Sequence, residues 1–249
     1  MAWVDITSNL IFIESELSIN VISTVNKPSI IYGICENEIK FGSDAGLTVF
    51  NLLTEEEVTA KNVSHMHDTI QYRSNDGGFC RPHQLLGFMH RTNPEAQGGF
   101  VYKVLGETWS LLDDKIHIPN TFVEIEPSKI LISDSLTGQI WIFELDLNGS
   151  LRNKTLWAQL EAGVTPDGGC LVGDFVLIAL WDGSAIAVFT KDGQLIEKLP
   201  VPVVRPTNCK YDAQKSQLWV TSASEGLSKS QLKKYPDSGN TFIFDLRFL

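Results

Sequence analysis

Apolar strands starting near Leu85, Ile130, Val176 and Leu218 recur every 42 to 46 residues. No other feature constrains the fold as tightly. A repeat of that length is one small sheet that cannot bury both of its faces alone and must stack on its neighbours, as propeller blades do. Each repeat reads as strand, turn and strand. Lys129–Ser133 (KILIS) returns through Ser-Leu-Thr-Gly as Gln139–Leu145 (QIWIFEL). FVLIAL returns through Trp-Asp-Gly-Ser as AIAVF, and Gln217–Thr221 is followed by Thr241–Leu246. With the N-terminal pairs, Asn9–Glu14 with Ser18–Val25 and Ser29–Cys35 with Glu38–Phe41, the hairpin units number roughly six. Helical periodicity is not sustained anywhere, and Gly and Pro punctuate most connections. The polar stretch Thr54–Ser64 reads as a surface strand and loop. These patterns predict one all-β domain over residues 1–249, a six-bladed β-propeller. A two-sheet sandwich does not generate an even repeat over this length.

The charge balance narrows the partners. Thirty Asp and Glu against 20 Lys and Arg give a formal charge of −10, which repels nucleic acid and anionic membranes. No segment approaches the run of about 20 apolar residues that a membrane helix needs. Cys35, Cys80, Cys170 and Cys209 form no CxxC pair and read as reduced, mostly buried thiols of a cytoplasmic protein.

Three polar stretches precede apolar strands: Tyr72–Gly78 (YRSNDGG), Ile118–Thr121 (IPNT) and Thr165–Gly169 (TPDGG). All three read as loops. Asp76-Gly77 is a strong hairpin dipeptide in its own right, and Asn120 after Pro119 suits a turn. Arg73 has many carboxylates available to it on an acidic chain. His65 and His67 read as surface or loop residues that lack a third metal ligand. Asp146–Gly149 reads as a turn and not a calcium loop. Nucleophile-elbow, zinc-protease, P-loop and dinucleotide fingerprints are missing from the sequence.

Taken in order, Arg73-Ser-Asn75-Asp76-Gly77, Gly87-Phe-Met89, Pro119-Asn120, Ser133-Asp134-Ser135, Pro166-Asp167-Gly168 and Thr221-Ser-Ala-Ser-Glu-Gly226 resemble the regucalcin/gluconolactonase family, which includes luciferin-regenerating enzyme. The likeness spans about Asn9 to Phe244. It implies a six-bladed propeller with one divalent cation (Ca²⁺, Mn²⁺, Mg²⁺ or Zn²⁺) and hydrolysis of a sugar lactone or related small ester. It also implies that Asn120 and Asp167 are metal ligands, with Asp167 also able to accept a proton from water. Arg73 and Asn75 match residues that contact substrate, and Asp76 lies beside them.

The chain also departs from that pattern. The family's metal-binding glutamate, in G-E-x-P-x-W, aligns ahead of Met1 when its tryptophan is set on Trp3, so that ligand and the first outer strand are expected to be lacking. Glu14 and Glu16 fall at and beyond the far end of their strand. Cys80-Arg-Pro-His-Gln84 replaces D-P-x-G-R, Thr121 stands where the family has glycine, and Leu171-Val172 stands where an acidic residue follows P-D-G. Two functions follow: a lactonase-type hydrolase, or a propeller that binds a small molecule or protein without catalysis. An incompletely closed ring leaves an edge strand on which a homodimer can form.

Overall fold

The computed structural model describes residues 1–15, 17–105 and 108–246. Its described strands form six antiparallel sheets, each a meander of consecutive strands. The chain falls into two compact units, Met1–Pro119 and Asn120–Leu249.

In the first unit the sheets are β1 (Ala2–Asp5), β2 (Leu10–Glu14) and β3 (Ile19–Ser23); β4 (Pro28–Cys35), β5 (Glu38–Ser43), β6 (Gly46–Asn51) and β7 (Glu57–Asn62); and β8 (Tyr72–Cys80), β9 (His83–His90), β10 (Phe100–Leu105) and β11 (Thr108–Asp113). The second unit has β12 (Pro119–Glu126, from Asn120 on), β13 (Lys129–Asp134), β14 (Gln139–Leu145) and β15 (Leu151–Gln159). Its next sheet is β16 (Thr165–Val172), β17 (Phe175–Trp181), β18 (Ala185–Thr190) and β19 (Leu195–Pro200), and its last is β20 (Pro206–Asp212), β21 (Gln217–Ser222) and β22 (Phe242–Asp245). Thr54–Ser64 is a strand and loop, as expected.

The second strands β9, β13 and β17 are among the most buried, and β17 is covered on both faces. In β17, Val176, Ile178 and Leu180 pack with Val123, Leu131 and Trp157 of the preceding sheet. Leu177 and Ala179, on the opposite face, pack with Cys209, Leu218 and Val220 of the following sheet. A strand sandwiched this way reads as a continuous apolar run and not as an alternation. Each such fully buried side chain contributes about 1.5–3 kcal/mol.

The first strands differ from the sequence reading. All three polar stretches expected as loops lie in strands, β8, β12 and β16. In β8 and β16 a bulge near the start disguises the strand. Pairing with the second strand slips between Pro28 and Ile30 in β4, Ser74 and Asp76 in β8, Pro166 and Gly169 in β16, and Pro206 and Asn208 in β20. A bulge inserts residues without ladder partners and re-aims their side chains. The inserted residues include Ser29, Asn75, Asp167 and Thr207. Three first strands also begin on a buried proline followed by a polar residue, Pro28-Ser29, Pro119-Asn120 and Pro206-Thr207, and in β16 Pro166-Asp167 follows one residue after the start. Proline suits the opening position of a strand because it has no N–H to offer the ladder.

Two further corrections concern local structure. A short helix, α1 (Lys229–Lys234), lies between β21 and β22. Ser228 and Gln231 form a reciprocal capping box at its start, a signal present in the sequence as S-x-x-Q. His67 lies in the loop after β7, as expected, but half-buried and not at the surface. Its ring lies 4.4 Å from that of Phe88 and stacks on Phe100 and Tyr102 at 5.7 and 5.5 Å, and neither ring nitrogen has a hydrogen-bond partner. Burial lowers its pKa to about 4, against a small opposing pull from Asp68.

A histidine held neutral in the fold but protonated near pH 6.5 when unfolded stabilises the protein fully above that pH. Its contribution is lost as pH falls from 6.5 towards 4. Replacing His67 by Phe should therefore flatten the acid side of the stability profile. Relative to pH 7, wild type should lose up to about 2 kcal/mol more than the variant by pH 4, allowing for partial exposure of the ring. Urea unfolding at several pH values checks this; parallel profiles would refute it.

Candidate active site

The nominated residues lie near the bulges of β8 and β16 and at the start of β12, and each unit organises its own group. In the first unit the Arg73 guanidinium donates two 2.9 Å hydrogen bonds, to the Ser74 carbonyl and to Asn75 Oδ1. Asn75 Nδ2 donates to the Pro119 carbonyl at 3.0 Å. Both ends of the Asn75 amide are thus used, and one of them orients the arginine.

Asp76 is 6% exposed and pairs with Gly87 on β9, so Asp76-Gly77 is not a hairpin turn. The glycine serves close approach. A Cβ on Gly77 would lie 2.5 Å from the Leu85 carbonyl and 2.8 Å from the Tyr32 hydroxyl. That hydroxyl donates to the same carbonyl at 2.6 Å. Burial, reinforced by the Asp76 charge, raises the Tyr32 phenol well above its ordinary pKa.

In the second unit a chain of side-chain hydrogen bonds runs from β12 through β13 to β16. Asn120 Nδ2 donates to Ser135 Oγ at 3.1 Å, and Ser135 Oγ donates to the Pro166 carbonyl at 2.6 Å. Beside it, Ser133 Oγ donates to Thr121 Oγ1 at 2.9 Å, and the Thr121 hydroxyl donates to the Asp167 carbonyl. Asn120, Thr121, Ser133 and Ser135 are all buried. Asp167 is half-buried, and its Oδ1 accepts from the Gly168 amide at 3.1 Å.

This network gives the Ser133-Asp134-Ser135 segment a role that motif matching did not supply. Its two hydroxyls tie the Asn120 strand to the Asp167 bulge. Asn208 is a residue the sequence reading missed altogether. A Cβ on Gly168 would meet Asn208 Cγ at 2.2 Å, so the Asn208 amide lies directly over the glycine beside Asp167. The Pro206-Thr-Asn opening of β20, alike in type to Pro119-Asn-Thr and Pro166-Asp-Gly, was the available signal.

The donor chemistry can be tested against a cation. With Nδ2 committed to Ser135, the Asn120 amide presents Oδ1 on its other side, and Asp167 supplies a carboxylate. Oxygen donors of this kind suit a hard cation that keeps some of its water. Among the described residues no group of three or more His, Cys, Asp and Glu could hold a metal; Asn120 and Asp167 offer oxygen donors of the type a hard cation takes. The Glu14 carboxylate lies 3.3 Å from the Met1 amine. Glu16 lies outside the described residues.

Comparison with known proteins follows from this geometry. The family described as SMP-30/Gluconolactonase/LRE-like region matches residues 1–224. Regucalcin of Gallus gallus is 32% identical over 114 residues, covering 44% of this chain and 38% of its own. L-arabinolactonase of Azospirillum brasilense is 28% identical over 162 residues, covering 62% and 52%. The matched segments thus span about half or less of these relatives' length. The crystal structure of a calcium-binding protein, regucalcin, from Agrobacterium tumefaciens superimposes with a TM-score of 0.87 at 22% identity, over 98% of this chain and 86% of that one. That likeness shows the fold to be a six-bladed β-propeller.

The Gly168–Asn208 contact yields a direct test. Gly168→Ala should destabilise the protein by about 1–3 kcal/mol through overpacking. Adding Asn208→Ala should recover most of that loss, because the two effects share one contact. Additive losses in denaturant unfolding would show that the contact is not the cause.

Proposed function

Given that the chain belongs to the SMP-30/gluconolactonase/LRE-like family, we propose that it hydrolyses a sugar lactone or related small ester with the aid of one divalent cation. The observation that carries this reading is the hydrogen-bonded tie between β12 and β16. It orients the Asn120 amide and fixes the backbone of Asp167, the two oxygen donors proposed for the cation. A bound divalent cation supplies Lewis-acid polarisation of a carbonyl and acidifies bound water.

The chain's own residues have the following roles in this proposal. Asn120 and Asp167 hold the cation through oxygen. The Asp167 carboxylate also accepts the proton that water gives up as it adds to the lactone carbonyl. Arg73, steered by Asn75 Oδ1, binds a sugar oxygen or the developing oxyanion. Asp76, buried near Tyr32, sets the local charge in the Arg73 strand. The relative called L-arabinolactonase supports a lactone as the substrate class.

A second reading, a propeller that binds a small molecule or protein without catalysis, draws on one feature. Leu171 and Val172, where the family has an acidic residue, are packed into apolar clusters and supply no ligand.

The two readings part on a cation titration of the metal-stripped protein with Ca²⁺, Mn²⁺, Mg²⁺ and Zn²⁺, alongside Asp167→Ala. At a hundredfold excess over its dissociation constant a cation should stabilise wild type by about 2.7 kcal/mol and leave the variant unmoved. Hydrolysis of a panel of aldonolactones, followed by acid release, should then appear in wild type and fall at least about a hundredfold in the variant. No cation response and no turnover would leave the binding reading in its place.

A further inference from the structure

Thr121 has a left-handed backbone, φ 56°, in the middle of a strand. Seven other non-glycine residues among those described have positive φ: Asn9, Glu36, Glu55, Ser128, Asp182, Ser184 and Ser216. All seven lie outside strands, and none is β-branched. Thr121 is both β-branched and completely buried. A β-branched side chain crowds its own backbone in this region, where glycine sits at no steric cost.

The strained residue is compensated through its hydroxyl. Thr121 Oγ1 accepts from Ser133 Oγ and donates to the Asp167 carbonyl. A glycine would adopt the same backbone without strain but would leave both groups without that partner. Its immediate neighbour, Asn120, is bound through Ser135 to the Pro166 carbonyl. The two residues therefore grip consecutive carbonyls at the β16 bulge, one through an amide and a serine, the other through a strained threonine. Strain of this kind persists where surrounding structure over-determines it, and it clusters at functional sites.

We infer that Thr121 is a positioning residue: its hydroxyl fixes the Asp167–Gly168 peptide, and so the carboxylate, in the pose that receives the cation. The inference rests on the proposed cation site, but the geometry it asserts is testable in metal-free protein. It also makes the hydroxyl, and not merely small size, the requirement at position 121.

The experiment compares Thr121→Ser with Thr121→Ala. Neither is β-branched, so both relieve the crowding, and they differ only in the hydroxyl. The first readout is amide hydrogen exchange at Gly168, whose N–H is bonded to Asp167 Oδ1, in metal-free protein. The second is Mn²⁺ affinity by calorimetry. Losing one such hydrogen bond corresponds to about a tenfold change. Thr121→Ala should exchange about tenfold faster at Gly168 and bind Mn²⁺ about tenfold more weakly, while Thr121→Ser keeps both wild-type values. Unchanged exchange in the alanine variant overturns the inference, as does faster exchange with unchanged Mn²⁺ affinity, or a serine variant that behaves like alanine. A wild type that binds no Mn²⁺ sinks the cation reading alone, and the exchange comparison still decides whether Thr121 holds the turn.

Discussion

Backbone carbonyls at a bulge lose their ladder partners, and in a sheet packed on both faces water cannot reach in to replace them. The second unit meets this constraint at Pro166 and Asp167, whose carbonyls are capped by Ser135 and Thr121. In the first unit Asn75, inserted at the β8 bulge, donates Nδ2 to the Pro119 carbonyl. Capping by side chains turns a local defect of the sheet into a rigid platform. A side chain displaced by the bulge is then held by its own backbone, without needing a ligand to order it. The backbone of Asp167 is thereby fixed although the residue is only half-buried.

The requirement reaches outward from the caps. Ser135 can bridge only because Asn120 Nδ2 and the Pro166 carbonyl lie on either side of its hydroxyl, so the end of β13 is fixed relative to two first strands. The apolar clusters on either face of β17 hold those sheets in register with one another. Packing and polar satisfaction are therefore interdependent. A cavity beneath β16 would loosen the caps, and loss of a cap would leave an unpartnered carbonyl, which costs about 1–3 kcal/mol.

Much of the architecture was legible in the sequence, because continuous apolar runs such as FVLIAL report strands covered on both faces, and their spacing reports the repeat. The first strands were not legible as strands. Pro-Asp-Gly-Gly has the composition of a turn, and only pairing across the bulge shows that Thr165–Val172 is extended. The roles of the glycines were likewise hidden. Gly77 and Gly168 matter for what approaches them, the Tyr32 hydroxyl and the Asn208 amide, and no local pattern encodes a contact from a distant strand. The candidate residues themselves were found through an ordered resemblance. Their supporting shell, Thr121, Ser133, Ser135 and Asn208, was visible at most as recurring polar residues after a proline. The half-buried setting of His67 within its loop was hidden because its aromatic neighbours come from strands farther along the chain.

The apolar pair Leu171-Val172 bears on what a cation could experience here. Leu171 packs against one core cluster and Val172 lies within the next, so this segment of β16 is committed to holding adjacent sheets together. A carboxylate placed at either position would have to be desolvated among aliphatic side chains, at a cost of several kcal/mol. The donors proposed for the cation, Asn120 and Asp167, together carry one formal negative charge. A divalent cation held by them alone would keep a net positive charge, which would weaken its retention but strengthen its pull on any oxygen entering its coordination shell. A cation less neutralised by its ligands is for the same reason the stronger electrophile. The fold's demand for apolar packing at Leu171 and Val172 and the proposed chemistry at Asp167 therefore do not compete for the same residues.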